Sequence, residues 1–163
     1  DQTLGDLLYY QRLGSDQLIT KMGSIVQSVN NLDYLPPVLS MEDIQSTTAQ
    51  EWISLLQQII DYSNYNVVIL DLSDSVSQLY KVLEQCTRIY MPIRADPVSQ
   101  AKIQQFEHTL QVWEKQVVLE RIRKIKLPYH RSSKTGIGYM DDLVWSELGD
   151  YVREMLRTER EDG

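Results

Sequence analysis

One stretch limits what this chain can fold into more than any other: residues 65–71, Tyr-Asn-Val-Val-Ile-Leu-Asp, an apolar run rich in β-branched side chains that ends in a carboxylate. A run this short, apolar at successive positions, predicts a strand covered on both faces, as strands are in parallel α/β sheets. The periodicity on either side is helical. Thr48 and Glu51 form a capping box ahead of Trp52, Ile53, Leu55, Leu56, Ile59 and Ile60, a stripe broad enough to pack on a sheet. Val76, Leu79, Tyr80 and Leu83 keep helical spacing behind Asp74 or Ser75 as N-cap, and residues 87–93 read as a second buried strand. Strand, helix, strand is a βαβ unit.

The remaining segments fit around that unit. Thr3 and Asp6 have capping-box spacing ahead of Leu4, Leu7 and Leu8, and Gly14 is placed to end this first helix. Leu18, Met22, Ile25 and Val29 predict a second helix closed by Asn30-Asn31, and residues 32–35 a short strand ended by Pro36-Pro37. Asp96-Pro97 is a helix start, an N-cap followed by proline at the first helical position. Residues 122–127 read as an edge strand because Arg123, Lys124 and Lys126 interrupt their apolar pattern. Residues 129–142 are expected to be a loop or small hairpin. A last helix carries Leu148, Tyr151, Val152, Met155 and Leu156, and residues 157–163 are expected to fray. The expectation is a single α/β domain over residues 1–163. Its form would be a three-layer, mainly parallel sheet of about four strands with helices on both faces. Helical patterning begins at once from Asp1, so the chain reads as a fragment of something longer.

Charge narrows the partners. Sixteen basic against twenty-three acidic side chains leave a net −7, which repels phosphate backbones and anionic lipid surfaces, so neither nucleic acid nor membrane insertion is expected. With no apolar run near eighteen residues and a single cysteine, Cys86, the expected location is the cytoplasm. Neither His108 nor His130 has metal-ligand spacing to Cys86 or to the other, so no metal site is inferred, and Cys86 reads as a packing residue. Gly136-Ile137-Gly138 is a turn, since no strand precedes it. The basic cluster Arg121, Arg123, Lys124 and Lys126 is read as charge protecting a sheet edge rather than as an anion site. Tyr9, Tyr10, Tyr62 and Tyr65 fit either an association surface or half-exposed packing.

Asp71 is the most informative candidate. In open α/β sheets ligands sit outside the carboxyl ends of the strands, so a strand-end Asp can reach Mg²⁺ or its water shell. Capping by Asp74 and solvation of Asp71 form the competing reading. The order Val67-Val68-Ile69-Leu70-Asp71, helix, Arg88-Ile89-Tyr90-Met91-Pro92-Ile93, then Asp96-Pro97-Val98-Ser99 opening another helix resembles the second half of a MinD/ParA-type ATPase. Within that family it is similar to the CpaE/TadZ-like branch that localises pilus assembly. The resemblance implies a truncated P-loop NTPase-like fold, with Asp71 as the Walker B carboxylate and Asp74 and Arg94 beside the nucleotide. It implies ATP and Mg²⁺ as cofactors of a full-length parent. Two departures accompany it. Leu72-Ser73-Asp74-Ser75 replaces the family's Pro- and Gly-containing turn, and no Gly-x-x-x-x-Gly-Lys-(Ser/Thr) loop occurs in the chain.

Three functional expectations follow, in order. The first is a non-catalytic or weakly nucleotide-responsive regulator acting through a protein partner or self-association, in pilus or secretion-system positioning, with no cofactor of its own. The second is the C-terminal half of a genuine ATPase whose phosphate loop lies upstream of residue 1. The third is a receiver-like signalling domain with Asp71 and Asp74 as its strand-end carboxylates.

Overall fold

Helix α1 (Leu4–Arg12) starts at the expected capping box: Thr3 Oγ1 accepts from the Gly5 N–H at 3.2 Å, and the Asp6 carboxylate accepts from the Thr3 N–H at 2.8 Å. The structure, a computed structural model, describes residues 2–14 and 16–161, and the chain divides into two compact units between Thr87 and Arg88.

In the first unit α1 is followed by α2 (Leu18–Ile25), β1 (Gln27–Val29), β2 (Leu32–Tyr34), α3 (Met41–Ser46), α4 (Ala49–Tyr62) and α5 (Leu79–Leu83). Leu7 and Leu8 of α1, Leu18, Met22 and Ile25 of α2, and Leu55 and Ile59 of α4 bury one another in a common core. Spacings of three and four residues put Leu18, Met22 and Ile25, and likewise Leu55 and Ile59, on one helix face, and the partly buried Leu4 stands at the same spacings from Leu7 and Leu8. The second expected capping box also forms. The Glu51 carboxylate accepts from the Thr48 backbone N–H and hydroxyl, both at 2.7 Å, while Thr48 Oγ1 accepts from the Glu51 N–H at 3.3 Å. These bonds, led by the Thr48 backbone donor and supplemented by Arg12, draw the Glu51 carboxyl down to about 2. Arg12 Nε reaches Glu51 Oε1 at 2.6 Å, and Arg12 Nη2 donates to the buried Thr47 Oγ1 at 2.9 Å, so the C-terminus of α1 is tied to the start of α4.

Two expectations for this unit change. The helix from Leu18 stops at Ile25 instead of reaching Val29, because Asn30 and Asn31 both adopt left-handed backbone, with φ of 49° and 64°. Paired left-handed residues make the two-residue turn whose twist matches an antiparallel hairpin. Accordingly Gln27, Ser28 and Val29 pair with Tyr34, Asp33 and Leu32.

The larger change concerns residues 65–71. They are not an interior strand. Residues 67–73 carry no regular secondary structure, and among the described residues no backbone hydrogen bond joins 66–71 to another segment. Val67 is 74% exposed and Ile69 80%, whereas Leu70 and Leu72 pack against a small cluster of Ala49, Val76 and Val82. The segment therefore rests its even-numbered residues at 70 and 72 on the core and turns Val67, Ile69 and Asp71 to solvent. Helix α5 is also shorter than expected. It begins after Gln78, whose φ is +51°, and is capped by neither Asp74 nor Ser75.

The second unit contains β3 (Ile89–Pro92), α6 (Pro97–Val112), α7 (Gln116–Arg121), β4 (Ile122–Ile125), α8 (Ile137–Val144) and α9 (Glu147–Glu161). Asp96 caps α6 as its sequence requires, accepting from the Ser99 N–H at 2.9 Å and the Ser99 hydroxyl at 2.7 Å. Strands β3 and β4 pair in parallel, Ile89 opposite Ile122 and Pro92 opposite Ile125. Parallel neighbours need a long crossover, and α6 with α7 supplies it. Proline ends the β3 contribution to the ladder, but the Ile93 N–H still donates to Ile125 O at 2.8 Å. Part of the expected loop at 129–142 is helical, since α8 starts after Gly136 with its φ of +60°. Helix α9 runs to Glu161, into the segment expected to fray, and Asp162 and Gly163 lie outside the described residues.

The chain is thus mixed α/β, with one small parallel sheet and one antiparallel hairpin. The described strands form two sheets of two strands each and no four-strand layer. The physical reason is the missing ladder at 65–71 together with the hairpin's pairing to itself.

Candidate functional site

The residues singled out from sequence are divided between the two units. Asp71 and Asp74 are exposed in the first unit, and neither carboxylate has a hydrogen-bond or ion-pair partner among the described residues. Asp71 does not stand at the end of a paired strand, the placement on which its Walker B role depends. Arg94 lies in the second unit, its side chain 86% exposed and its Nε 3.8 Å from Asp96 Oδ2. Asp96 is held below the usual carboxylate range mainly by the Ser99 hydroxyl and N–H, with Arg94 contributing less. The geometry around Arg94 is therefore that of a helix cap with a loosely paired guanidinium.

A site that sequence reasoning missed lies in the first unit. The hairpin register places Ser28 directly opposite Asp33, and the Ser28 hydroxyl donates to Asp33 Oδ1. From 32 residues along the chain the Tyr65 hydroxyl donates to Asp33 Oδ2 at 2.7 Å. The Ser28 and Tyr65 hydroxyls, in that order, hold the Asp33 carboxyl below its ordinary range, and the same carboxylate pushes the Tyr65 phenol up. Asp33 has no cationic partner among the described residues. It lines a groove of about 370 Å³ together with Ile19, Met22 and Gly23 of α2 and with Tyr62 and Tyr65. The signal that could have revealed it was Asn30-Asn31, read above as a helix end; as a hairpin turn it fixes the Ser28–Asp33 pair without any structure.

A second polar cluster sits in the second unit. Asp142 accepts from Ser132 and lies 3.2 Å from Lys134 Nζ, and these two neighbours, Ser132 first, lower its carboxyl. His130 Nε2 is buried without a hydrogen-bond partner, 3.6 Å from Asp142 Oδ2. The Ser132 hydroxyl is bonded to the carboxylate, so this cluster lacks the nucleophile-to-base contact of a catalytic triad. Among the described residues no group of three or more His, Cys, Asp or Glu side chains could hold a metal ion.

Charge is unevenly spread. Residues 1–87 carry three Lys or Arg against eleven Asp or Glu, a net of −8, whereas residues 88–163 carry thirteen against twelve, a net of +1. On β4 Lys124 pairs with Glu107 at 2.6 Å, and Arg123 is exposed. No helix among the described residues is long and apolar enough to cross a membrane. Comparison with protein-family models, with curated proteins and with solved structures finds no significant match to this chain.

Proposed function

We propose that this chain is a non-catalytic regulatory or localisation module, MinD/ParA-like in kind, that works in the cytoplasm through protein contacts and self-association. The observation that carries the reading is the segment around Val67 and Ile69, which has no regular secondary structure. Val67 and Ile69 face solvent, and among the described residues no backbone hydrogen bond joins 66–71 to another segment. Unladdered backbone rich in β-branched residues is a template for strand addition, in which main-chain bonds give affinity and alternate side chains give fit. The parallel β3–β4 pair with its helical crossover agrees with the family's general architecture. A three-layer, mainly parallel sheet remains the finer architecture this reading requires, and residues 65–71 would have to gain a ladder partner to complete it. Positioning of a pilus or secretion system, and ATP with Mg²⁺ as cofactors of a longer parent, belong to the same proposal.

Light scattering of the full chain over a range of concentrations tests the reading. The mass should rise above the 19.0 kDa of one chain, and Ile69→Lys, at a site already open to water, should weaken association about tenfold without loss of stability. A mass that stays monomeric at every concentration overturns it. So does a clear ATPase rate abolished by Asp71→Ala.

A further inference from the structure

The Asp33 groove combines three features that suit one ligand class. Its carboxylate is oriented by Ser28 and Tyr65, yet among the described residues each oxygen accepts one hydrogen bond and so keeps capacity for another donor. One wall is apolar, from Ile19 and Met22, and it is continued by Gly23, around whose absent Cβ no atom lies within 4 Å. Tyr62 and Tyr65 also line the groove, and aromatic rings attract cations. The groove also belongs to the half of the sequence with a net charge of −8, which draws cations towards it.

We propose that this groove binds a lysine side chain presented by a basic segment of a protein partner. The ammonium would pair with Asp33, and the methylene stem would lie along Ile19 and Met22 past Gly23, as long basic side chains lie on apolar surface with their heads in polar surroundings. Lysine fits better than arginine because both Asp33 oxygens already accept a bond. A compact ammonium with rotatable donors needs one free lone pair, whereas a guanidinium fork gains most from two clear, coplanar oxygens. Only the nature of the partner, a protein, rests on the function proposed above; the site and its chemistry do not. The two readings also fail separately, since Ile69→Lys should leave this binding intact and Asp33→Asn should leave self-association intact.

The test is titration of the isotope-labelled full chain with a capped Lys-Ala-Lys-Ala-Lys peptide, followed by amide chemical shifts. Shifts should concentrate at Gly23, Asp33 and Tyr65. Acetylation of the peptide's lysines and Asp33→Asn should each weaken binding about tenfold or more. Gly23→Leu should do the same by filling the groove while keeping or raising the thermal midpoint, because Leu is a better helix former than Gly. That variant separates occlusion from misfolding. Absence of shifts at these three positions at millimolar peptide overturns the proposal, as does equal binding of the acetylated peptide. A loss in Glu42→Gln equal to that in Asp33→Asn would reduce the effect to overall charge and overturn it too. Tighter binding of the arginine counterpart contradicts the choice of lysine.

Discussion

Leu55→Ala is expected to lower the unfolding free energy by about 3 kcal/mol, the cost of removing buried methyl groups and leaving a cavity that the surroundings only partly close. Leu55 is 2% exposed on the inner face of α4 and belongs to the core that α1, α2 and α4 share. Ile60 is the internal control. It sits on the same helix but is 56% exposed, so Ile60→Ala should change stability by no more than about 0.5 kcal/mol. Urea denaturation followed by circular dichroism measures both. Equal losses for the two variants would mean that α4 does not present the face described.

The second large effect runs against helix propensity. Gly→Ala inside a helix ordinarily gains about 1 kcal/mol, and Gly149 lies in the first turn of α9. Here a Cβ would stand 2.2 Å from Val144 O and 2.7 Å from Leu143 O, both backbone atoms that cannot rotate away. The close approach follows from the sharp joint between α8 and α9, where the Ser146 hydroxyl donates to Leu143 O at 2.7 Å and accepts from the Gly149 N–H at 3.3 Å. Gly149→Ala should therefore destabilise the chain by about 2 kcal/mol, as overpacking does when the backbone must move. The same urea titration reads the sign, and a stabilising substitution would show that the two helices do not meet this closely.

Three helix starts were the most legible features of the sequence, because a side-chain cap is a local arrangement, whereas α5 and α8 begin without one. Thr3 with Asp6, Thr48 with Glu51, and Asp96 with Ser99 all form within four residues of chain and need nothing from the rest of the molecule. The strands expected over 32–35, 87–93 and 122–127 form over the shorter spans 32–34, 89–92 and 122–125. The parallel pairing of the last two follows from the helical crossover between them.

Residues 65–71 show where composition stops being informative. A run of β-branched residues says that extended backbone is favoured but not that a partner strand is present, and ladder formation depends on residues far away. The alternation that the structure uses, Leu70 and Leu72 inward with Val67 and Ile69 outward, is hidden in sequence because the outward positions are apolar too. The candidate site was illegible for a related reason. Asp33 acquires its role from a cross-strand neighbour and from a tyrosine 32 residues away, and only the first of these has a local signature, the asparagine pair at the turn.

Hydrogen exchange at the amides of Val67, Val68, Ile69 and Leu70 reports whether that backbone is paired, on which the proposed association surface depends. Exchange within about tenfold of an unstructured peptide is expected for the dilute monomer, as for solvent-exposed backbone outside any ladder. Protection of these amides by roughly a thousandfold or more under the same conditions, comparable to a core strand, would contradict it.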